Sequence, residues 1–183
     1  MSRLPPLRLD EMTAEQRRVH DEFMAAHNGR VAITHLTWLR SPELASHIAK
    51  FGPYVRHQCL DYRKREMAIL IAGRACHSPV EWYLHLPFAR EAGIEEDIIT
   101  ALAERRRPAF AQPEDVALYD FASELLQADH SVSDTTYQAA MQHLGAAQMV
   151  ELIAITGYYV MMAMLIGAFQ FQLPEGVQPA FTD

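Results

Sequence analysis

The sequence has few of the residues that mark disulfide-rich, nucleic-acid-binding or disordered proteins. Two cysteines among 183 residues, Cys59 and Cys76, are too few for a disulfide framework or a four-cysteine metal site. The chain carries 16 Lys and Arg against 23 Asp and Glu, and it has no lysine-rich run, so we expect no nucleic-acid partner. Half of the residues are apolar, which excludes a disordered chain. The N-terminus has no apolar stretch of signal-peptide length, and we therefore expect a cytoplasmic protein with reduced thiols.

One long apolar segment near the C-terminus raises the question of a membrane span. No charged residue lies between Glu151 and Glu175, and the stretch 152–169 is long enough to cross a bilayer. Neither end carries a flanking Lys or Arg, and Thr156 and Tyr158 interrupt the run. A helix that is apolar on every side also suits the centre of a bundle or a subunit interface. We therefore expect no membrane span, and instead a soluble homo-oligomer that covers this helix.

Signals for the start and end of helices are frequent, and convincing strands are absent. Thr13 and Gln16 fit a capping box, Asp61 can cap another helix, and Ser78 precedes a proline at a first helical position. The first predicted helix starts near residue 13, and the last starts near residue 146. Between them, helices are predicted at about 41–59, 62–76, 79–92, 95–106, 113–127 and 133–144. Because the connections are short, residues 1–183 are predicted to form a single all-α domain, a bundle of about eight helices.

The third and fourth predicted helices and the turn between them contain the most informative motif. Glu66 is followed after eleven residues by Ser78, and then Glu81 and His85 continue as Ser-x-x-Glu-x-x-x-His. This spacing resembles the carboxymuconolactone decarboxylase superfamily, which includes alkylhydroperoxidase D. The redox branch of that superfamily has cysteines where this chain has Ser78 and Glu81. The pair Glu81-x-x-x-His85 resembles the decarboxylase branch instead.

The resemblance covers nearly the whole chain. It includes the opening Leu4-Pro5-Pro6-Leu7, the segment 132–134 and the pair Tyr158-Tyr159. It implies an alkylhydroperoxidase D-like fold, a homo-trimer or homo-hexamer, and a decarboxylase-like lyase that needs no cofactor. The implied substrate is a carboxylated lactone or a related small organic acid.

The residues expected to act in catalysis are Glu66, Glu81 and His85. A carboxylate beside an imidazole is a general acid–base pair. In this interpretation His85 protonates the substrate carbon, and Glu81 orients or polarises His85. Glu66 holds a water or sets the charge of the site. A simple helical hairpin places His85 opposite a residue near Leu70, one turn from Glu66, so direct contact requires a crossing angle or a bridging water.

Four further residues are expected to bind the substrate. Trp82 would lie at the edge of the pocket, and Arg74 would bind a substrate carboxylate. Tyr158 would complete the pocket, and Ser78 belongs to the motif. Ser78 also fits an N-cap whose capping box is closed by Glu81. No metal is expected, because Glu81, His85 and His77 lack a further ligand at a convincing spacing.

Two other functions remain open. An alkylhydroperoxidase D-like peroxidase needs a peroxidatic thiolate and a resolving thiol. Cys76 lies two residues before the required position, at a helix C-terminus where the dipole raises its pKa, and Cys59 is on another helix. The remaining alternative is an oligomeric binding protein that keeps the pocket without the reaction.

Overall fold

The computed structural model describes residues 2–27, 29 and 31–182, and over these residues it is helical with no strand. Met1 and Asp183, the ends of the predicted domain, lie outside the described residues. Nine α-helices follow a short 3₁₀ turn at Leu9–Glu11. They are α1 (Ala14–Ala26), α2 (Ile33–Trp38), α3 (Pro42–His57), α4 (Tyr62–Ala75), α5 (Pro79–Glu91), α6 (Glu96–Ala103), α7 (Pro113–Leu125), α8 (Asp134–His143) and α9 (Gly145–Phe169). The predicted all-α class is confirmed.

Several predicted helix ends are confirmed by their capping contacts. The Thr13 hydroxyl accepts a hydrogen bond from the backbone N–H of Gln16, whose side chain accepts one from the backbone of Thr13. The carboxylate of Asp61 accepts from the N–H of Lys64 at the start of α4. Gly93 has a positive φ of 77° just after α5, as expected of a glycine that ends a helix.

In addition to the predicted helices, the described chain contains α2, a helix of six residues that the sequence signals did not reveal. Its start lacks a Ser, Thr, Asp or Asn cap. The imidazole Nδ1 of His35 instead accepts a hydrogen bond from the N–H of Ala32. Histidine is not one of the residues that usually cap a helix, so no sequence signal indicated α2. The described chain therefore has nine helices where about eight were predicted.

The centre of the fold is α4, which packs against α5, α6, α7 and α9. Every residue from Arg65 to Arg74 is buried, including the charged side chains of Arg65, Glu66 and Arg74. The chain turns after α4 at His77, which has a φ of 51°, and α5 then runs back along α4. This hairpin brings the two halves of the sequence motif face to face.

The apolar helix α9 packs against α2, α3, α4, α5, α7 and α8. By length and composition it could cross a membrane, and half of its most apolar stretch is buried inside the protein. Its outer side nevertheless exposes Val150, Ile153 and Met164. One hydrophobic core joins α9 to the rest of the chain and extends from Leu7 to Phe181.

Candidate functional site

Glu66 and His85 form a direct, buried hydrogen bond between α4 and α5. The Nδ1 atom of His85 lies 2.8 Å from Oε2 of Glu66, and the two residues are 5% and 1% exposed. A bridging water is therefore not needed between them. Because a carboxylate only accepts, the proton of a neutral His85 ring sits on Nδ1, which leaves Nε2 as an acceptor. Nε2 makes no hydrogen bond to any residue that the structure describes.

Burial sets the protonation state of His85. The loss of solvent lowers the pKa of the imidazole below its usual value, while the hydrogen bond to Glu66 opposes this shift. The imidazole is consequently neutral at neutral pH. A neutral ring oriented by a carboxylate is the arrangement expected of a general base.

Glu81 lies one turn before His85 on α5 and has a different environment. It is 3% exposed, and its Oε2 atom has no hydrogen-bond partner among the described residues. Burial raises the pKa of this carboxyl to about 8, so that it carries a proton at neutral pH. The sequence spacing suggested that Glu81 pairs with His85. In the structure Glu66 is hydrogen-bonded to the imidazole instead, and Glu81 remains available as an acid.

Glu81 and His85 line the same cavity, which has a volume of about 80 Å³. Its other lining residues are His27, Ala32, Thr34, His35, Gly52, Arg56, Leu84, Tyr158, Tyr159, Met162 and Ile166. Ala32 and Leu84 are exposed, so the cavity reaches the surface of the chain. Glu66 does not line this cavity, but it is hydrogen-bonded to His85, which does.

Two tyrosines of α9 close one side of this cavity. The ring of Tyr159 meets the His85 ring edge to face, with 4.9 Å between the centroids. Burial raises the pKa of the Tyr158 hydroxyl to about 12 and that of Tyr159 well above its usual value. Both phenols therefore stay protonated and can donate a hydrogen bond to a ligand. Tyr158, which was predicted to complete the pocket, lines this cavity.

The position of Tyr158 depends on a glycine in α3. A Cβ atom added to Gly52 would lie 2.6 Å from the Tyr158 hydroxyl oxygen, a distance that forces one of them to move. Because Gly52 has no side chain, the phenol of Tyr158 can occupy this space. Gly52 precedes Arg56 by one helical turn, and both residues face the cavity.

Arg74, Ser78 and Trp82 lie outside this cavity. Arg74 lines a separate cavity of about 360 Å³, where its Nε donates to the carbonyl of Ala103. Trp82 is adjacent to Glu81 and therefore points about 100° away around α5, where its ring packs edge to face on Phe181. On α5, this rotation separates the side chain of Trp82 from that of Glu81.

Ser78 occupies the N-cap position of α5 without forming the capping box. Its side chain makes no cap hydrogen bond, and its buried hydroxyl has no partner among the described residues. It lines a different cavity together with Cys76 and His77. His77 contacts Arg105 and does not line the cavity of His85.

The two cysteines are free and neither of them lines the cavity of Glu81 and His85. Burial raises the pKa of both thiols, and the charge of Glu151 adds to the shift at Cys59. Both effects disfavour the thiolate that peroxidase chemistry requires. Within the described residues, no group of three or more His, Cys, Asp or Glu side chains could hold a metal ion.

Sequence reasoning missed Arg56, His35 and Gly52 as residues of the cavity. All three lie before the motif, on α2 and α3. The spacing of Gly52 and Arg56 on one face of α3 was the available signal, but it shows only which side of the helix they share. His35 lies on the helix that the sequence did not reveal.

Comparison of the chain with protein-family models and with curated proteins finds no match.

Proposed function

We propose that this cavity is the active site of a cofactor-free acid–base enzyme of the carboxymuconolactone decarboxylase type. The observation that carries the proposal is the buried Glu66–His85 hydrogen bond beside a protonated Glu81 in one cavity. When the environments of two titratable groups shift their pKa values in opposite directions, one group can act as the acid and the other as the base. The resemblance of the motif supports the choice of reaction class.

In this proposal the substrate is a carboxylated lactone or a related small organic acid. Decarboxylation breaks the bond between the ring carbon and its carboxylate, carbon dioxide leaves, and the electron pair moves into the lactone carbonyl as an enolate. The O–H group of Tyr158 can donate a hydrogen bond to the enolate oxygen. The ring carbon then takes one proton, which balances the reaction.

The roles of the three catalytic candidates differ from those first expected. Because His85 is neutral and Glu81 protonated at neutral pH, Glu81 is the better donor of the proton to carbon. Solvent must then return a proton to Glu81, and His85 can relay it from one helical turn away through a bound water. Glu66 acts as a positioning residue that fixes the ring and tautomer of His85.

The proposal is tested with a panel of carboxylated lactones by mass-spectrometric detection of carbon dioxide. We expect His85→Ala and Glu81→Gln each to reduce kcat/KM by about 10²–10⁴-fold, because general acid–base steps contribute that much. Glu66→Gln should reduce it on the order of 10²-fold through loss of orientation. His143→Ala, a histidine of α8 outside the cavity, is the matched control and should keep full activity.

Full activity of His85→Ala or Glu81→Gln would overturn the assignment. Turnover of a hydroperoxide with a thiol reductant would instead favour the peroxidase alternative. Binding of a small molecule with no turnover in either assay would favour the non-catalytic binder.

A further inference from the structure

The cavity of Glu81 and His85 contains a positive charge that no described residue neutralises. Arg56 is half-buried on α3 and lines this cavity. It forms no ion pair and no hydrogen bond with any residue in the described part of the chain. Its guanidinium lies over the ring of Phe88, with Cζ 4.9 Å from the ring centroid. This contact holds the plane of the guanidinium while leaving its N–H donors unused.

Two other buried or half-buried arginines of this protein have polar partners. Arg63 on α4 binds the carboxylates of Asp115 and Glu95, and Arg74 donates to a backbone carbonyl. Arg56 is different because the carboxyl that shares its cavity, Glu81, is protonated at neutral pH and forms no ion pair with it. A half-buried guanidinium without a counter-ion is unfavourable unless a ligand supplies one.

The charge of Arg56 acts on the groups that would surround a substrate. It lowers the pKa of Tyr158 and of Tyr159, against the effect of burial, and it adds to the lowering of the pKa of His85. Burial also keeps His35 neutral by lowering its pKa to about 3. The interior of the cavity is therefore electropositive and suited to an anion.

We propose that Arg56 binds a carboxylate of the substrate that the reaction leaves in place. This inference rests on the proposed function and identifies the residue that selects acids over neutral molecules of the same shape. The planar guanidinium can bind a carboxylate through two parallel N–H···O hydrogen bonds. Arg56 thereby fixes the orientation of the substrate with respect to Glu81 and His85.

The bound carboxylate must be a different one from the carboxylate that leaves. A departing carboxylate loses its charge as it becomes carbon dioxide, so a cation bound to it stabilises the ground state more than the transition state. Arg56 at that position would slow the reaction. The site therefore fits a small lactone or acid that carries a second, retained carboxylate.

The test measures binding rather than turnover. The probes are butyrolactone carboxylate and its uncharged carboxamide, which differ at one group, and their affinities are compared by calorimetry on the intact protein. We expect the wild type to prefer the carboxylate. Arg56→Gln should weaken carboxylate binding by about ten- to a hundredfold and leave carboxamide binding unchanged.

Two further variants separate the role of Arg56 from general charge effects. Arg56→Lys keeps the charge without the planar fork and should retain part of the preference. Lys50→Gln removes one positive charge from an exposed position on the same helix and should change nothing. Thermal unfolding monitored by circular dichroism confirms that each variant is folded.

The inference is overturned if Arg56→Gln keeps the wild-type preference, if the wild type binds both probes equally, or if it binds no carboxylate at millimolar concentration. Failure of the proposed function gives a different pattern. In that case the preference still depends on Arg56, but no lactone acid is turned over by the wild type. Turnover that depends on His85 together with binding that is independent of Arg56 overturns this inference alone.

Discussion

Glu81 is a carboxyl group kept protonated in the interior, and this has a cost to stability that depends on pH. Its folded-state pKa of about 8 lies above the ordinary value of 4.5 because burial disfavours the charged form. The native state therefore holds a proton that the unfolded state loses above pH ~4.5. The favourable contribution of this proton is present at low pH and is lost as the pH rises to about 8.

This linkage gives a prediction for Glu81→Gln. Between pH 5 and 8 the free energy of unfolding of the wild type should fall relative to that of the variant by up to about 1.4 kcal/mol per pH unit. Urea denaturation at several pH values measures both slopes, and their difference cancels the titration of other groups. Glu175→Gln, an exposed glutamate, is the control and should follow the wild type. Parallel slopes for wild type and Glu81→Gln would show that Glu81 is ionised in the fold.

Cys59 and Cys76 are expected to have no part in catalysis. Both lie outside the cavity, and burial raises the pKa of each thiol. Replacing both by Ser should leave carbon dioxide release within about twofold of the wild type, far from the loss that follows removal of a catalytic group. If the wild type reduces hydroperoxides and the double variant does not, the thiol mechanism is correct.

At the level of helices, the contact between α3 and α9 depends on Gly52. An added Cβ would meet the Tyr158 hydroxyl oxygen at 2.6 Å, although alanine is otherwise favoured over glycine inside a helix. Gly52→Ala should therefore destabilise the protein when Tyr158 is present. It should be better tolerated in Tyr158→Phe, which lacks the clashing oxygen.

A double-mutant cycle of these two substitutions measures the contact. We expect a coupling free energy of about 1–2 kcal/mol from denaturant unfolding, as for residues in direct contact. Gly167→Ala is the control, since an added Cβ there has open space around it. Additive effects of Gly52→Ala and Tyr158→Phe would mean that the two helices are farther apart than the structure places them.

The sequence predicts elements of this fold better than the contacts between them. Thr13, Asp61 and Gly93 mark helix ends through local hydrogen bonds and backbone angles, which depend on a few neighbouring residues. The direct bond between Glu66 and His85 depends on how α4 and α5 cross, and residue spacing does not contain that angle. Arg56 was missed for the same reason, because only the folded chain brings α3 to the motif.

At the scale of the whole molecule, we propose that the outer side of α9 is an interface between copies of the chain. Val150, Ile153 and Met164 are exposed there, and Phe51 and Tyr54 are exposed on the neighbouring α3. Several exposed apolar side chains on one side of a helix mark an interaction surface or cause aggregation. The family resemblance favours a closed trimer or hexamer.

Light scattering on detergent-free protein tests this proposal. We expect a mass that is a multiple of 20.8 kDa, and a lower mass for the double variant Ile153→Glu, Met164→Glu, because buried charges oppose the interface. Tyr137→Glu, an exposed apolar position on α8, should leave the mass unchanged. A wild-type monomer would contradict the proposal, and a requirement for detergent would assign α9 to a membrane.

The central claim is that a neutral imidazole, held by Glu66, presents a free Nε2 to the cavity that contains Glu81. The ¹⁵N chemical shifts of the His85 ring at pH 7 test it most directly, with the signals assigned by their absence in His85→Gln. We expect a neutral ring with its proton on Nδ1, as the 2.8 Å hydrogen bond and the burial of both residues require. A charged imidazolium at pH 7, or a neutral ring with its proton on Nε2, would contradict the account.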